Sequence, residues 1–416
     1  MARMKETYIR RLQELIQIPT VDANEEAVAR YIQDWLAEHG IESKLVIHEP
    51  GRANLVAEVT KGEGPKLGLC GHSDVVASGE VQDWIYPPYA GEVHEGRLYG
   101  RGSSDMKGGL AAMVAAMIEA KESIDFHGTL RLLVTIAEET DFAGSKDLSQ
   151  AGYADDLDAI IFGEPISSGV VHAHKGSYSY KLISRGKAVH SSAPQRGMNA
   201  IDHLRRFINR VLPAMDQVYQ AYENPILGRT LHTISKIQGG HQVNSVPDYA
   251  EYEADMRTIP EFSHGQITDL LQELVQQANQ EEGSRLELEV VNDFGPVQAP
   301  RDSALIRAIQ QNAPKVTRPV LEEAMPLLNW PVEDQEVLDQ LFADESAITL
   351  PVVAMKGATD ATNFFQANPQ LEIAVYGPGE LQLCHQVDEY IQVDQYLDFI
   401  TIYQRIIADY LVADDH

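Results

Sequence analysis

KLGLCGHSDVV, residues 66–76, runs apolar through Leu67, Leu69 and Cys70 and only then meets His72 and Asp74. A run with no polar side chain between Leu67 and Gly71 suits a strand buried on both faces. Two later stretches follow the same course. TLRLLVTIAEE (129–139) ends in Glu138-Glu139, and DAIIFGE (158–164) ends in Glu164. Before the first of these lies an Ala/Met-rich helix from about Lys107, entered from a hairpin turning at Glu95-Gly96. Upstream, an opening helix carries Ile9, Leu12, Leu15 and Ile16 at helical spacing. Asn24 is the expected cap of a second helix, with Gly40 just past its end. The strands SKLVIHE and NLVAEVT come next. Apolar strands separated by helices predict an α/β fold, a mostly parallel sheet flanked by helices.

The pattern changes at Lys175-Gly176. From there to Phe294-Gly295-Pro296 the order is strand (SYSYKLISRG), helix (within 197–222), strand (LHTISKIQ), strand (DYAEYEADMRTI), helix (within 265–282), strand (RLELEVV). This β-α-β-β-α-β order is that of a ferredoxin-like α+β domain. Helix and strand patterns resume with PVVAMKG, LEIAVYG and a long helix from about Asp388. The expected organisation is therefore a first domain made of residues 1–175 and 295–416, with 176–294 inserted into it.

The chain has 416 residues, enough for two domains. Its 62 Asp and Glu against 33 Lys and Arg leave a formal net charge of -29. Such a surface repels phosphate backbones and anionic headgroups, so neither nucleic acid nor membrane is an expected partner. Two cysteines, Cys70 and Cys384, exclude a disulfide scaffold or a cysteine-rich zinc module, and a reduced cytoplasm is the expected compartment. The N-terminal stretch lacks the continuous apolar run of a signal peptide. Residues 321–346 hold eight carboxylates (Glu322, Glu323, Glu333, Asp334, Glu336, Asp339, Asp344 and Glu345) and no Lys or Arg, and read as a solvated or loosely helical surface segment.

Chemistry collects at the strand ends. Each buried strand finishes on a metal-ligand type: His72 with Asp74 two residues on, Glu138-Glu139, and Glu164. Open α/β sheets bind ligands beyond the carboxyl ends of their strands, and buried carboxylates there must be paired or bound. With Asp105 in the Gly-rich turn GRGSSDMKGG, they point to a cation site. That turn is no dinucleotide fingerprint, since Asp105 occupies the third-glycine position and the turn follows a hairpin. The chain contains neither a GxxxxGK[ST] loop nor a GxSxG elbow. Cys70, in a buried strand, is a poor nucleophile. Metal-assisted hydrolysis is the chemistry left.

The stretches GHSDVV, WIYPPY…GRLYGRGSSDMKGGLAAMV, AEET, FGEP, GGHQVNSVPD…EADMRTIP, GATDATNFF and GPGELQLCHQVDEY occur in that order. On them the chain resembles, over essentially its whole length, the dizinc deacylases and peptidases that include acetylornithine deacetylase, succinyl-diaminopimelate desuccinylase, aminoacylase and glutamate carboxypeptidase. The resemblance implies a zinc-peptidase-like catalytic domain with an inserted lid and dimerisation domain. It implies two Zn²⁺ ions per subunit, with Co²⁺ as a substitute. Asp105 would bridge them, with His72 and Glu164 on one and Glu139 and His385 on the other. Such imidazole and carboxylate ligands suit zinc.

By the same resemblance Glu138 is the general base, which requires the strand to bend if Glu138 and Glu139 are both to reach the site. Asp74 is expected to accept the second ring N–H of His72. His190 matches a histidine that crosses from the neighbouring subunit in dimeric members to stabilise the oxyanion. Asn244 and Arg257 match a pair that binds the substrate carboxylate, and Thr359 is a further substrate contact. His172 and His174 read as structural or rim residues.

The implied activity is hydrolysis of the amide bond of an N-acylated amino acid by a homodimer. A dipeptidase or carboxypeptidase of the same family is the alternative. A non-catalytic dimeric binding protein on this fold is a further one, against which the full set of ligands and Glu138 counts. PGELQLCHQVDEY resembles the acetylornithine deacetylase end of the family. Leu381 stands where proteobacterial desuccinylases carry an Asn four residues before the last ligand histidine.

Overall fold

The computed structural model describes residues 2–282, 284–326, 328–329, 335–343 and 345–411. The Lys66–His72 strand lies inside a sheet, paired in parallel with Gly128–Thr135 on one side and Ala159–Phe162 on the other. Glu372–Val375 continues the parallel run beside Ala159–Phe162. These four strands form the centre of a sheet that is ten-stranded among the described residues. Antiparallel pairings flank them: Arg52–Lys61 and then Ser43–Glu49 beyond Gly128–Thr135, and Val170–His174 beside Glu372–Val375 on the other side; Val352–Met355 comes next, with the short Leu328–Asn329 antiparallel to it at the edge. The sheet is therefore mixed, and the strands that end in ionisable residues pair in parallel with one another and with Glu372–Val375.

Burial follows the alternation of the strands. Leu130, Leu132, Val134 and Ile161 join one apolar cluster with Leu110, Val114 and Met117 of the Lys107–Ser123 helix and Tyr403, Ile406 and Ile407 of the Val393–Leu411 helix. On the opposite face Phe162 packs against Phe364 of the Ala361–Ala367 helix, ring centroids 5.8 Å apart. The last long helix begins at Val393 and not near Asp388, because Tyr390–Gln392 first pairs as a strand with Arg97–Tyr99. Asn24 stands at the start of the second helix in a left-handed conformation (φ 70°) without capping it; its side-chain amide donates instead to the Pro19 carbonyl.

The chain divides into two compact units, one of residues 1–173, 299–355 and 359–416, the other of 174–298 and 356–358. The second unit is a four-stranded antiparallel sheet in the order Leu231–Gly239, Tyr249–Thr258, Gly176–Arg185, Leu286–Phe294. With its helices Ala200–Ala221 and His264–Glu282 it has the β-α-β-β-α-β order of a ferredoxin-like domain. Tyr178, Tyr180, Leu182, Leu204, Phe207 and Leu271 fill its core.

The acidic segment is more firmly seated than a solvated excursion. Leu321, Ala324, Leu328 and Leu338 are buried, and Leu328–Asn329 adds to the edge of the large sheet. Its counter-charges come from just upstream: Arg318 pairs with Glu322 at 2.7 Å and Asp339 at 2.8 Å, and Lys315 with Glu345 at 2.9 Å. Glu333, Asp334 and Asp344 lie outside the described residues. Among the described residues no helix is long and apolar enough to cross a membrane.

Close approach of helix to strand end is what seats the ionisable residues. A Cβ on Gly109 would lie 2.0 Å from the Gly163 carbonyl oxygen, the residue before Glu164. Gly109→Ala must push the Lys107–Ser123 helix off that turn, and overpacking of this kind costs ~1–3 kcal/mol. Its denaturant midpoint is expected to fall accordingly, whereas Gly265→Ala, where only Ser263 Oγ lies within 4 Å (at 3.8 Å), stays near the wild-type value.

Candidate metal centre

Three ionisable side chains meet at the carboxyl ends of the parallel strands. His72, Asp105 and Glu139 each offer a ligand atom, and those atoms lie within 4.8 Å of one another. His72 closes its strand, 1% exposed, with Nε2 3.2 Å from Asp105 Oδ1 and 3.7 Å from Glu164 Oε2. His385 comes from the far end of the chain on a left-handed residue (φ 63°). Its Nε2 is 3.4 Å from Asp105 Oδ2 and 3.0 Å from Glu139 Oε2. The two oxygens of Asp105 thus face different imidazoles, and all five residues expected as ligands come together.

The Gly128–Thr135 strand ends earlier than its apolar run suggests. Ala137 adopts φ 58°, a left-handed turn that breaks the alternation and lets both Glu138 and Glu139 turn inward. Asp74 holds that turn: its Oδ1 accepts the Glu138 N–H at 3.1 Å and its Oδ2 the Glu139 N–H at 3.0 Å. Asp74 also meets His72, by its main chain. The second nitrogen of His72, Nδ1, lies 2.9 Å from the Asp74 main-chain carbonyl and 3.6 Å from its carboxylate. The carboxylate is spent on two backbone donors, while the carbonyl sets the imidazole tautomer.

The electrostatics are those of a site short of positive charge. Burial and the neighbouring Glu164 push the Glu138 carboxyl well above the ordinary range. Glu164 rises to about 8, through burial and the repulsion of Asp105 and Asp360, against the opposing pull of His72. The ion pairs of Asp105, Glu139 and Glu164 are with imidazoles. His385 is driven up to about 10 by its contacts with Asp105 and then Glu139. Imidazole nitrogens interleaved with mutually repelling carboxylates fit divalent cations of borderline softness, zinc above all.

Asp360 was not singled out from the sequence. It is 2% exposed, its Oδ2 accepts from the Thr135 hydroxyl at 2.6 Å, and burial raises it to about 6. It stands beside Thr359 in GATDATNFF as the only carboxylate of that loop, which was the available signal. Thr359 itself is buried, its Oγ1 accepting from the Ala361 N–H at 3.3 Å. Cys70 is buried and Cys384 partly so, both as free thiols.

Residues 68–409 match the model of peptidase family M20/M25/M40. The chain belongs to this family. A probable succinyl-diaminopimelate desuccinylase of Staphylococcus epidermidis is 36% identical over 97% of each chain. The acetylornithine deacetylase of Edwardsiella ictaluri is 28% identical over 94% of this chain and 95% of its own. Among solved structures, the M20 metallo-carboxypeptidase Sso-CP2 of Sulfolobus solfataricus superposes with a TM-score of 0.74 at 17% identity, covering 97% of this chain and 99% of that one. Aminopeptidase PepT of Bacillus cereus gives 0.72 at 19%, covering 98% of each. These last two likenesses speak to the fold.

His190, Asn244 and Arg257 of this M20 chain belong to the second unit. His190 is exposed, its Nδ1 2.7 Å from Ser192 Oγ, and it bridges to Ser245 beside Asn244, whose carbonyl accepts the Ser191 N–H at 3.0 Å. Arg257 is elsewhere. It lies opposite Ser177, near the end of the Tyr249–Thr258 strand, whereas the His190 and Asn244 loops adjoin the Tyr249↔Arg185 end. Eight residues of strand separate Tyr249 from Arg257, roughly 26 Å. Within one chain the structure joins His190 to Asn244 but does not join Asn244 to Arg257. His172 and His174 are buried, with Nδ1 against the carbonyls of Ala299 and Lys175.

Asp74→Asn tests the turn. An amide offers one acceptor where two N–H groups need one each, so metal affinity is expected to fall by about 10–100-fold, the usual cost of losing such support. Isothermal titration of the metal-stripped variant against wild type reads this directly; equal affinities would remove Asp74 from the role.

Proposed function

We propose that the chain is a dizinc hydrolase that cleaves the amide bond of an N-acylated amino acid, releasing a carboxylic acid and a free amine. The observation that carries this reading is Asp105, whose two oxygens face His72 at 3.2 Å and His385 at 3.4 Å. His72 and Glu164 would hold one ion, Glu139 and His385 the other, and Asp105 would touch both. Bound there, such ions make water acidic enough to deprotonate near neutral pH and polarise the amide carbonyl. Co²⁺ would replace Zn²⁺ in the same donor set. The names of the relatives at 36% and 28% identity support a deacylase over a dipeptidase or carboxypeptidase.

Glu138 does the proton work. Next to Glu139 but not among the ligands, it is held at the site by the Asp74 clamp on its N–H. It takes one proton from the attacking water and delivers it to the amide nitrogen as the C–N bond breaks, leaving acid and amine. A carboxyl pushed upward by burial and Glu164 is suited to hold that proton between the two events.

Asn244 and Arg257 stand at opposite ends of a strand, so they grip one substrate carboxylate only across two copies of the chain. Asn244 would then arrive with its neighbour His190 from the second copy, while Arg257 belongs to the first. This favours a homodimer formed through the inserted domain, in which His190 donates to the developing oxyanion and Thr359 contacts substrate.

Two experiments test the reading. Protein stripped with chelator should lose hydrolysis of acetylornithine and succinyl-diaminopimelate and regain it with Zn²⁺ or Co²⁺. Glu138→Gln should keep its metal yet lose roughly 10²–10⁴-fold in kcat. Activity that survives metal removal, or a preference for dipeptides, would overturn the mechanism or the substrate class respectively. For the dimer, inactive Glu138→Gln and His190→Ala proteins are mixed and allowed to exchange subunits. One site of each mixed dimer is then intact, and about one quarter of wild-type activity should return for random two-fold pairs. No recovery despite proven exchange would remove His190 from a crossed role.

A further inference from the structure

Glu389 is a completely buried carboxylate, four residues beyond His385. Burying an ionised carboxylate is costly unless all its lone pairs are used, and here they are. Oε1 accepts from the Ser104 N–H at 2.8 Å and the Asp105 N–H at 3.0 Å. Oε2 accepts from the Gly102 N–H at 3.1 Å and from Arg101 Nη1 at 2.5 Å. Its carbonyl also accepts the Gly100 N–H at 2.9 Å. One residue therefore closes the whole Gly100–Asp105 turn around itself.

The other end of the connection is equally constrained. His385 and Asp388 both adopt left-handed conformations, φ 63° and 55°, so the stretch between the imidazole and the buried carboxylate is a tight turn. Asp388 Oδ1 accepts the Ile85 N–H at 2.7 Å, and Tyr390, next along, pairs with Tyr99. Arg101, 2% exposed, is held from behind by the Trp84 ring, 5.3 Å away. Asp105 and His385 are thus tied to each other through a single side chain, although 279 residues lie between them in sequence.

We infer that Glu389 is a positioning residue of the metal centre, holding the Asp105 turn and the His385 segment in ligand geometry before any metal arrives. The inference rests on Asp105 and His385 being ligands, as proposed above. A buried ion pair of this kind contributes little net stability, so its use is geometric. Glu389→Gln keeps the shape but puts an NH₂ where two backbone N–H groups or the guanidinium need an acceptor. Glu389→Asp keeps the charge but withdraws it from the turn. Glu25→Gln is the matched control: it is also fully buried and arginine-paired, through Arg52, and touches no ligand residue.

Zn²⁺ and Co²⁺ affinities are measured on stripped protein by competition with a chromophoric chelator, together with the visible spectrum of the Co²⁺ forms. Both Glu389 variants are expected to bind about 10–100-fold more weakly and to show shifted cobalt bands. Glu25→Gln is expected to melt earlier but to match wild type in both readouts. Hydrogen exchange of metal-free wild-type protein should find the amides of Gly102, Ser104 and Asp105 protected, and decides the matter if neither variant folds. Folded Glu389 variants with wild-type affinity and spectrum, or rapid exchange of those amides, would overturn the inference. A wild-type protein that binds no metal would instead overturn the dizinc reading itself.

Discussion

Five carboxyl groups, Asp105, Glu138, Glu139, Glu164 and Asp360, are gathered where four parallel strands end, and their mutual repulsion is the constraint around which the first unit is built. Burial alone disfavours each charge, and every neighbour adds to the penalty. The chain accepts this because backbone donors and two imidazoles absorb part of it. Asp74 and Glu389 do complementary work: each spends its carboxylate on N–H groups of a turn that carries an acidic residue inward. A third support, Gly109, lets a helix press against the carbonyl before Glu164. The acidic cluster is not an accident of an acidic protein. It is enforced by residues that have no chemistry of their own.

Much of this was legible in the sequence, for a physical reason. A strand buried on both faces must be apolar throughout, so KLGLCGH and DAIIFGE declare both their environment and the point where it ends. An ionisable residue at that point is then conspicuous. The inserted domain was readable because alternation and helical periodicity follow each other in a distinctive order. The mixed character of the large sheet was less so, since an antiparallel flank strand such as Arg52–Lys61 can be as apolar as a parallel one.

What was not legible is the set of local turns. Nothing in TIAEET announces that Ala137 takes a left-handed conformation, yet that turn lets two adjacent glutamates face inward. Asp74 was expected to accept from His72, but that its carbonyl does so while its carboxylate holds the next turn could not be read without the backbone path. The acidic 321–346 stretch looked unpaired when its own composition was counted, but Lys315 and Arg318 sit just outside the window. Asp360 and Glu389 were hidden differently. Each is one carboxylate in a motif already noticed for another residue, and only burial separates it from the surface acids that make up most of the -29 charge.

Reaction class and substrate are unequally written in this chain, and the structure gives the reason. Every group proposed to act on water and proton lies in the first unit, at strand ends whose composition exposes them. The groups proposed to recognise the substrate carboxylate lie in the second unit, Arg257 near one end of the Tyr249–Thr258 strand and Asn244 in the loop that leads into the other. Neither their spacing in sequence nor their placement in one chain brings them together around one ligand. On this reading the selectivity among acyl groups and amino acids is a property of two copies together.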